Sequence, residues 1–311
     1  RIPIGVLNGQ YRNMRPEMLG AQLINELINR YDISQVDGIF CGNAVGTGGN
    51  IGRLMGLMTN LPNSVPAITV DMQCASALMS IEMAYTHIAS GVMDSAIAGG
   101  IESSSLQPDR MYAAGDNREG LYKVAQFSPN DCSPLAMLEG AERTIQKHNV
   151  LKEDLYPYII GSHKRASEAL NNPHLKSYIM PITIDGKACV DECIRPKMNE
   201  KLLSRMKPLL GKNSITNAGN ACLTHDGAAF VYVSNEKGPF RIHSIMPWAG
   251  NPQFSPEGAL ESTEAILKRT GLTMDDIDVV EWNEAFAIID VLFNKAYPKH
   301  LEKYNKLGGA L

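Results

Sequence analysis

The chain of 311 residues contains no apolar run approaching the ~18 residues needed to span a bilayer. It has no surplus of basic charge either. Its formal net charge is −4, whereas a nucleic-acid binder carries a basic face. Metal ligands are not arranged in ligating patterns. The seven histidines include no i, i+4 pair, and Cys189 and Cys193 have no second ligand pair nearby, which argues against zinc. His87 reads most simply as a satisfied core residue. Gly46, Gly48 and Gly52 in "GTGGNIG" are spaced G-x-G-x-x-x-G and miss the dinucleotide fingerprint. The opening "RIPIGVLNGQ" has no charged-then-apolar leader. The six cysteines (Cys41, Cys74, Cys132, Cys189, Cys193, Cys222) are spread along the chain rather than packed into a small scaffold. Reduced thiols and a cytoplasmic location are therefore expected, without membrane or nucleic acid as partner.

What is present is a globular composition, 44% hydrophobic and 20% charged. The length exceeds that at which one core stops growing, so two or more core units are predicted. "EMLGAQLINELINRY" has helical spacing at Leu19, Leu23, Ile24, Leu27 and Ile28. A short strand from Gly38 to Cys41 runs into a glycine-bearing loop. "AITVDMQ" predicts a strand leading into a helix, and "DSAIAGGIESSS" a strand leaving it. Helices alternating with short apolar strands indicate an α/β unit with a covered sheet. From about Met111 to Cys222, charged helical segments joined by Pro- and Asn-rich connectors read as an insertion. "DGAAFVYVSNE" is then a clear strand. "VDGIFCGNA" and "IDVVEWNEAF" repeat one order: helix, acidic turn, apolar-Asp pair, strand, Asn-bearing loop. Such a repeat suggests two similar halves.

Three places could carry chemistry. Cys74, in "DMQCASALMSIEMAY", stands where a polar stretch becomes an apolar helix. A cysteine there can be buried filler. It can also be a nucleophile at a helix N-terminus, where the backbone dipole favours negative charge. Ala75, Leu78, Met79, Ile81, Met83, Ala84 and Ile88 leave little polar face, which predicts a helix buried nearly all round that delivers Cys74 to an interior site. In "EWNEAFA", Asn283 and Glu284 are predicted at a strand end, pointing at or beside a core. A water held by Asn283 could serve as an oxyanion donor. In "SITNAGNACLTHDGAAF", Gly219 and Gly227 flank Asn220, with Cys222 and His225 as polar handles; a ligand-lining loop and a bent entry to the next strand explain this equally well.

These segments, in order, resemble the thiolases, which split 3-oxoacyl-CoA with CoA or run the reverse Claisen condensation. "RIPIG" is similar to the family's first strand, "VDMQCASALMSIEMA" to its nucleophile-cysteine segment and "IAGGIESSS" to the following strand. "ITNAGNACLTHDGAA" resembles the segment closing the insertion, and "EWNEAFA" the Asn-Glu-Ala-Phe motif. The related ketoacyl synthases carry His where Asn283 stands. The resemblance implies a layered αβαβα fold of two similar halves with an inserted loop domain. Residues 1–114 and 223–236 would form the N-terminal half, 115–222 the inserted CoA-binding surface, and 237–311 an incomplete C-terminal half. It further implies that Cys74 is acylated by substrate and that Asn283 holds the oxyanion-hole water. Arg195 would lie near the nucleotide end of CoA, Ala218 and Cys222 along the pantetheine tunnel, and Ala285 and Phe286 on its floor. CoA enters as substrate, with no resident cofactor or metal, and the enzyme belongs to fatty-acid metabolism as a homodimer or homotetramer. A thiol suits thioester exchange because it forms a bond of the same energy as the one broken. Two departures stand out. Ala77 replaces the family's usual Gly, which implies tighter packing beside the nucleophile. The sequence also stops at "NKLGGAL", before the family's Gly-His-Pro motif and second catalytic Cys, so an incomplete chain is expected. The alternative is a non-catalytic thiolase-fold protein that binds acyl-CoA or a partner.

Overall fold

The alternating signals of the first third become one mixed sheet. The computed structural model describes residues 1–311 except 47, 123–128, 130–132 and 134, so Cys132 lies outside the described residues. Two compact units result. The first comprises Arg1–Ala125, Ser177–Cys193 and Thr224–His243, the second Gln126–Lys176, Ile194–Leu223 and Ser244–Leu311.

In the first unit β1 (Gly5–Val6), α1 (Pro16–Arg30), β2 (Ile39–Gly42), α2 (Ile51–Leu57), β3 (Ala67–Val70), α3 (Ser76–Ala89) and β4 (Ser95–Ser103) follow in sequence. Two small hairpins come next, β5 (Arg110–Met111) with β6 (Leu121–Tyr122) and β7 (Thr183–Ile184) with β8 (Lys187–Ala188), before β9 (His225–Ser234). The main sheet runs β1-β9-β4-β2-β3. β2 lies parallel to β3 and β4, whereas β9 is antiparallel to β4 and β1. Alternation along the strands divides the cores. Ile39, Cys41, Ile97 and Ile101 join Leu19, Leu23 and Ile24 of α1, while Phe40, Ala96 and Ala98 pack with Ala84 of α3. Pro16 opens α1, where its missing N–H removes no helical bond.

The helix after Cys74 is not buried nearly all round. Its buried residues are Ser76, Ser80 and Ala84, and Leu78 is 66% exposed. The small side chains make the closest approach to the sheet, Ile81, Met83 and Ile88 pack half-buried around Phe40 and Ala84, and Leu78 is turned outward. The Ser80 hydroxyl donates to the Gly99 carbonyl at 2.7 Å and accepts its N–H at 2.8 Å. A side chain on Gly42 would lie 2.5 Å from the Ala77 nitrogen, so glycine at the end of β2 lets the start of α3 approach. Gly100 also faces the Ala77 methyl, so the sheet side makes room for the alanine.

The second unit carries α4 (Ala136–Lys147), α5 (Tyr156–Ala169), most of the short α6 (Pro173–Ser177), α7 (Glu200–Ser204), α8 (Gly258–Thr270) and α9 (Ile288–Ala296). One core joins Ala141 and Ile145 of α4, Ile159 of α5, and Phe286, Ile288 and Val291. Another gathers Trp282, Phe293 and Tyr304, with the Phe293 and Tyr304 rings stacked at 4.2 Å. The strand expected in "IDVVEWNEAF" is not an extended one. Among the described residues it pairs through single rungs, Val280 with Tyr304 and Phe286 with Ala221. The Val280 N–H donates to Lys303 O and the Asn305 N–H to Val280 O. The repeated sequence therefore builds a central strand in one place and isolated rungs in the other. No helix among the described residues is long and apolar enough to cross a membrane.

Candidate active site

Cys74 lies beyond the C-terminal end of β3, one residue before the N-cap Ala75 of α3. Ligands of α/β sheets gather at this strand end. The local sequence forces a sharp elbow. The Asp71 carboxylate accepts the Gln73 N–H at 2.9 Å, and Gln73 takes φ +51°, a left-handed conformation that a glutamine adopts at a cost. The Ser76 hydroxyl accepts the Met72 N–H at 2.8 Å and donates to Gln73 O at 2.6 Å. Both sides of Cys74 are thus pinned to the start of a 14-residue helix whose N-terminal N–H groups favour developing negative charge. Cys74 itself is exposed, not interior as expected. The reason lies in the elbow, which turns residues 71–74 outward before the chain packs down at Ser76. Cys41 is the contrast. It is fully buried in β2, and burial pushes its thiol up to about 12.

In the second unit Asn283 and Glu284 part ways. Asn283 is exposed, whereas Glu284 is 0% exposed. The expectation that both point at a core holds for Glu284 alone, because a turn in which the Ala285 N–H donates to Asn283 O at 2.9 Å separates them. Phe286 is buried and Ala285 half-buried. The rung between Ala221 and Phe286 carries two bonds, Cys222 N–H to Ala285 O and Ala287 N–H to Asn220 O, both 2.9 Å. It brings Cys222, Ala285 and Phe286 together, with Cys222 and Ala218 exposed on their loop. Asn220 holds that loop from inside: its side chain accepts the Asn217 N–H and donates to Ile215 O. The buried Glu142 carboxylate accepts the N–H groups of Ile215 and Thr216.

Arg195 is exposed, and its backbone N–H donates to His163 Nδ1 at 3.3 Å. Burial, aided by the Arg195 charge, holds His163 below the usual imidazole range, so it stays a neutral acceptor there. His225 lies in the first unit at the start of β9, with Nε2 buried and without a hydrogen-bond partner among the described residues. His87 bonds its own helix, Nδ1 to Met83 O at 2.8 Å, and packs on Phe40. Among the described residues no group of three or more His, Cys, Asp or Glu side chains is disposed to hold a metal.

Sequence reasoning missed the support of the Asn283 segment. Asn305 accepts the Trp282 N–H at 2.9 Å, donates to Trp282 O at 3.0 Å, and donates to Glu284 Oε1 at 2.9 Å. Ser162 and Arg165 of α5 also reach Glu284. A glutamate followed at once by Ala-Phe-Ala was the available signal, since a carboxylate inside an apolar run needs buried partners.

Residues 1–237 match the thiolase N-terminal domain and residues 240–311 the thiolase C-terminal domain. The chain belongs to the thiolase family. This thiolase is similar over its whole length to proteins named "Putative acetyl-CoA C-acetyltransferase VraB". One, from Staphylococcus epidermidis, is 31% identical over 327 residues, with 85% of the relative covered. Another, from Staphylococcus aureus, is 30% identical over 326 residues, with 86% covered. The thiolase also superposes on the Bacillus anthracis acetyl-CoA acetyltransferase with a TM-score of 0.87, covering 99% of this chain and 84% of that one at 24% identity. That likeness establishes the α/β thiolase fold.

Proposed function

We propose that this thiolase moves acyl groups between acyl-CoA and CoA or acetyl-CoA through a thioester on Cys74. It would cleave 3-oxoacyl-CoA or run the reverse Claisen condensation. The observation carrying this reading is an exposed cysteine in a strained, hydrogen-bonded elbow at the start of α3, in a chain of the thiolase family. In the first half-reaction the Cys74 sulfur, having given up its proton, attacks the acyl carbonyl. With acyl-CoA as donor the carbon–sulfur bond breaks and CoA departs as a thiol carrying that proton; in thiolytic cleavage the carbon–carbon bond beside the 3-oxo group breaks instead, and the released acetyl-CoA carbanion takes the proton. In the second half-reaction the incoming CoA sulfur, or the carbanion of acetyl-CoA, bonds to the acyl carbon, the carbon–sulfur bond to Cys74 breaks, and the proton lost by the CoA thiol or the acetyl-CoA methyl group returns to the Cys74 sulfur. Negative charge develops on the carbonyl oxygen in each step, and a donor aimed at that oxygen lowers the barrier. Asn283, through a bound water, is assigned that part; its exposed amide suits it.

CoA is a substrate here and not a resident cofactor. Its surface is assigned to the 115–222 stretch. Arg195 would meet phosphate, Ala218 and Cys222 the pantetheine arm, and Ala285 with Phe286 the floor beneath it. The small exposed Ala218, the neighbouring Cys222, and the rung tying Cys222 to Ala285 support a narrow apolar track. We also propose a homodimer or homotetramer. β3 is an edge strand with Ile68 exposed, and Leu78 stands outward on α3, an apolar surface that a second copy would cover. Acyl-CoA as substrate implies a role in fatty-acid metabolism, and a reactive exposed thiol suits the reducing cytoplasm.

Incubation with acetyl-CoA followed by peptide mass spectrometry tests the reading. An acetyl adduct on Cys74, lost in Cys74→Ala, is the expected result. Retained CoA binding with no adduct would overturn it in favour of a non-catalytic acyl-CoA binder.

A further inference from the structure

Glu284 is adjacent to the proposed oxyanion residue and has no part in the chemistry above, yet it is among the most thoroughly held side chains in its unit. Its Oε2 accepts the Ser162 hydroxyl at 2.5 Å, and its Oε1 accepts the Asn305 amide at 2.9 Å. The Arg165 guanidinium stands 3.8 Å from Oε1, and Arg165 Nε donates to Asn305 O at 2.8 Å. Gly309 passes directly over the carboxylate, so closely that a side chain there would lie 2.2 Å from it, and its N–H donates to Ser162 Oγ at 3.1 Å.

The charges around it also resolve. Asp290 of α9 is 1% exposed, and neither of its oxygens has a hydrogen-bond partner among the described residues. Burial and the neighbouring Glu284 carboxylate push Asp290 well above the usual carboxyl range, which leaves the Arg165 charge matched to Glu284. A buried carboxylate with that many partners fixes its own backbone, and with it the peptide on either side.

We propose that Glu284 is a positioning residue: anchored by Ser162, Asn305 and Arg165, it holds the 283–285 turn so that the Asn283 amide faces outward at one fixed angle. This rests on the reading of Asn283 as the oxyanion residue. The backbone agrees with it. Asn305 clamps Trp282 on one side of Asn283, and the rung from Cys222 and Asn220 clamps Ala285 and Ala287 on the other. Glu284 closes the gap between those clamps. A misplacement of about 1 Å in such a donor lowers a rate by on the order of 100-fold.

A double-mutant cycle on acyl transfer by the full-length protein tests the proposal. Asn283→Ala is expected to lower kcat by roughly 100-fold. Glu284→Gln, which keeps size and one acceptor but removes the charge, is expected to lower it by roughly 30-fold with KM changed less than about twofold. If Glu284 acts through Asn283, the double variant falls within about threefold of Asn283→Ala alone. Losses that multiply, or an unchanged kcat in Glu284→Gln, would overturn the proposal while leaving Asn283 in its role. An unchanged kcat in Asn283→Ala would instead remove the oxyanion reading itself, and the proposal with it. Should Glu284→Gln fail to fold, Ser162→Ala takes its place in the same cycle. It removes one anchor and is expected to show a smaller loss, on the order of fivefold, that again vanishes in the Asn283→Ala background.

Discussion

Asn283 and Glu284 are neighbours with opposite fates, and their separation shows what a single peptide unit can do. The turn at Asn283 sends the amide outward and the carboxylate to zero exposure. Sequence alone identifies two polar residues before an apolar run but not which one goes inside, because that depends on Ser162, Arg165 and Asn305 waiting there. Asp290 offers a thermodynamic test at this scale. Its pKa is raised in the folded chain by burial, then by Glu284, with Tyr304 and Arg165 also facing it. The unfolded carboxyl releases its proton near pH ~3.9. Above that value and up to the folded pKa, folding takes up a proton, so the group lowers stability as pH rises through that interval. Asp290→Asn, an isostere of the protonated form, is expected to gain in Tm over the natural chain as pH climbs above about 4. Calorimetry on both proteins across a pH series measures this; a difference constant with pH would refute it.

α3 packs differently from what its sequence pattern predicts. Its apolar residues suggest burial on every side, but its buried side chains are Ser76, Ser80 and Ala84, with Ile81, Met83 and Ile88 half-buried beside them and Leu78 exposed. Small residues win the face toward the sheet because β2 and β4 present Gly42 and Gly100 to it and the Gly99 backbone bonds Ser80, so only short side chains fit between two backbones so close. Gly42→Ala is accordingly expected to push the helix start off the sheet. The added methyl would lie 2.5 Å from the Ala77 nitrogen, and overpacking of this kind destabilises by about 1–3 kcal/mol. Urea denaturation gives the stability change. Acetyl-CoA labelling should show slower acylation of Cys74 in the same variant, since the elbow moves with the helix. Full stability with full labelling would show that the helix start tolerates the methyl. Helices and strands with long regular patterns, such as α1 and β4, lie within a few residues of where periodicity puts them. The "IDVVEWNEAF" strand does not extend, because an extended segment becomes a strand only when a neighbour runs alongside it, and its partners at Tyr304 and Ala221 each stay for one rung.

For the whole molecule, the outward face of α3 and the β3 edge raise the question of assembly. Leu78 at 66% exposure and Ile68 on an edge strand are the kind of surface a second copy buries. Leu78→Lys is expected to shift the protein toward a single-chain mass in sedimentation or light scattering, with the fold retained, because a lysine on that face opposes burial. An unchanged assembly would move the interface elsewhere. The net charge of −4 lacks the basic surplus that a nucleic-acid partner draws on.

Residue order alone determined the family, the α/β class and the identity of Cys74 and Asn283 as candidates, because those rest on local patterns and short motifs carried by adjacent residues. Tertiary structure alone decided that Cys74 is exposed at a strained elbow, that Glu284 goes inward while Asn283 stays out, and that the main sheet is mixed, with β9 antiparallel to β4. These outcomes depend on groups far apart in the chain, Gly42 against Ala77, Ser162 and Asn305 against Glu284, β9 against β4. Burial and hydrogen-bond satisfaction are properties of such meetings, and no stretch of sequence contains them.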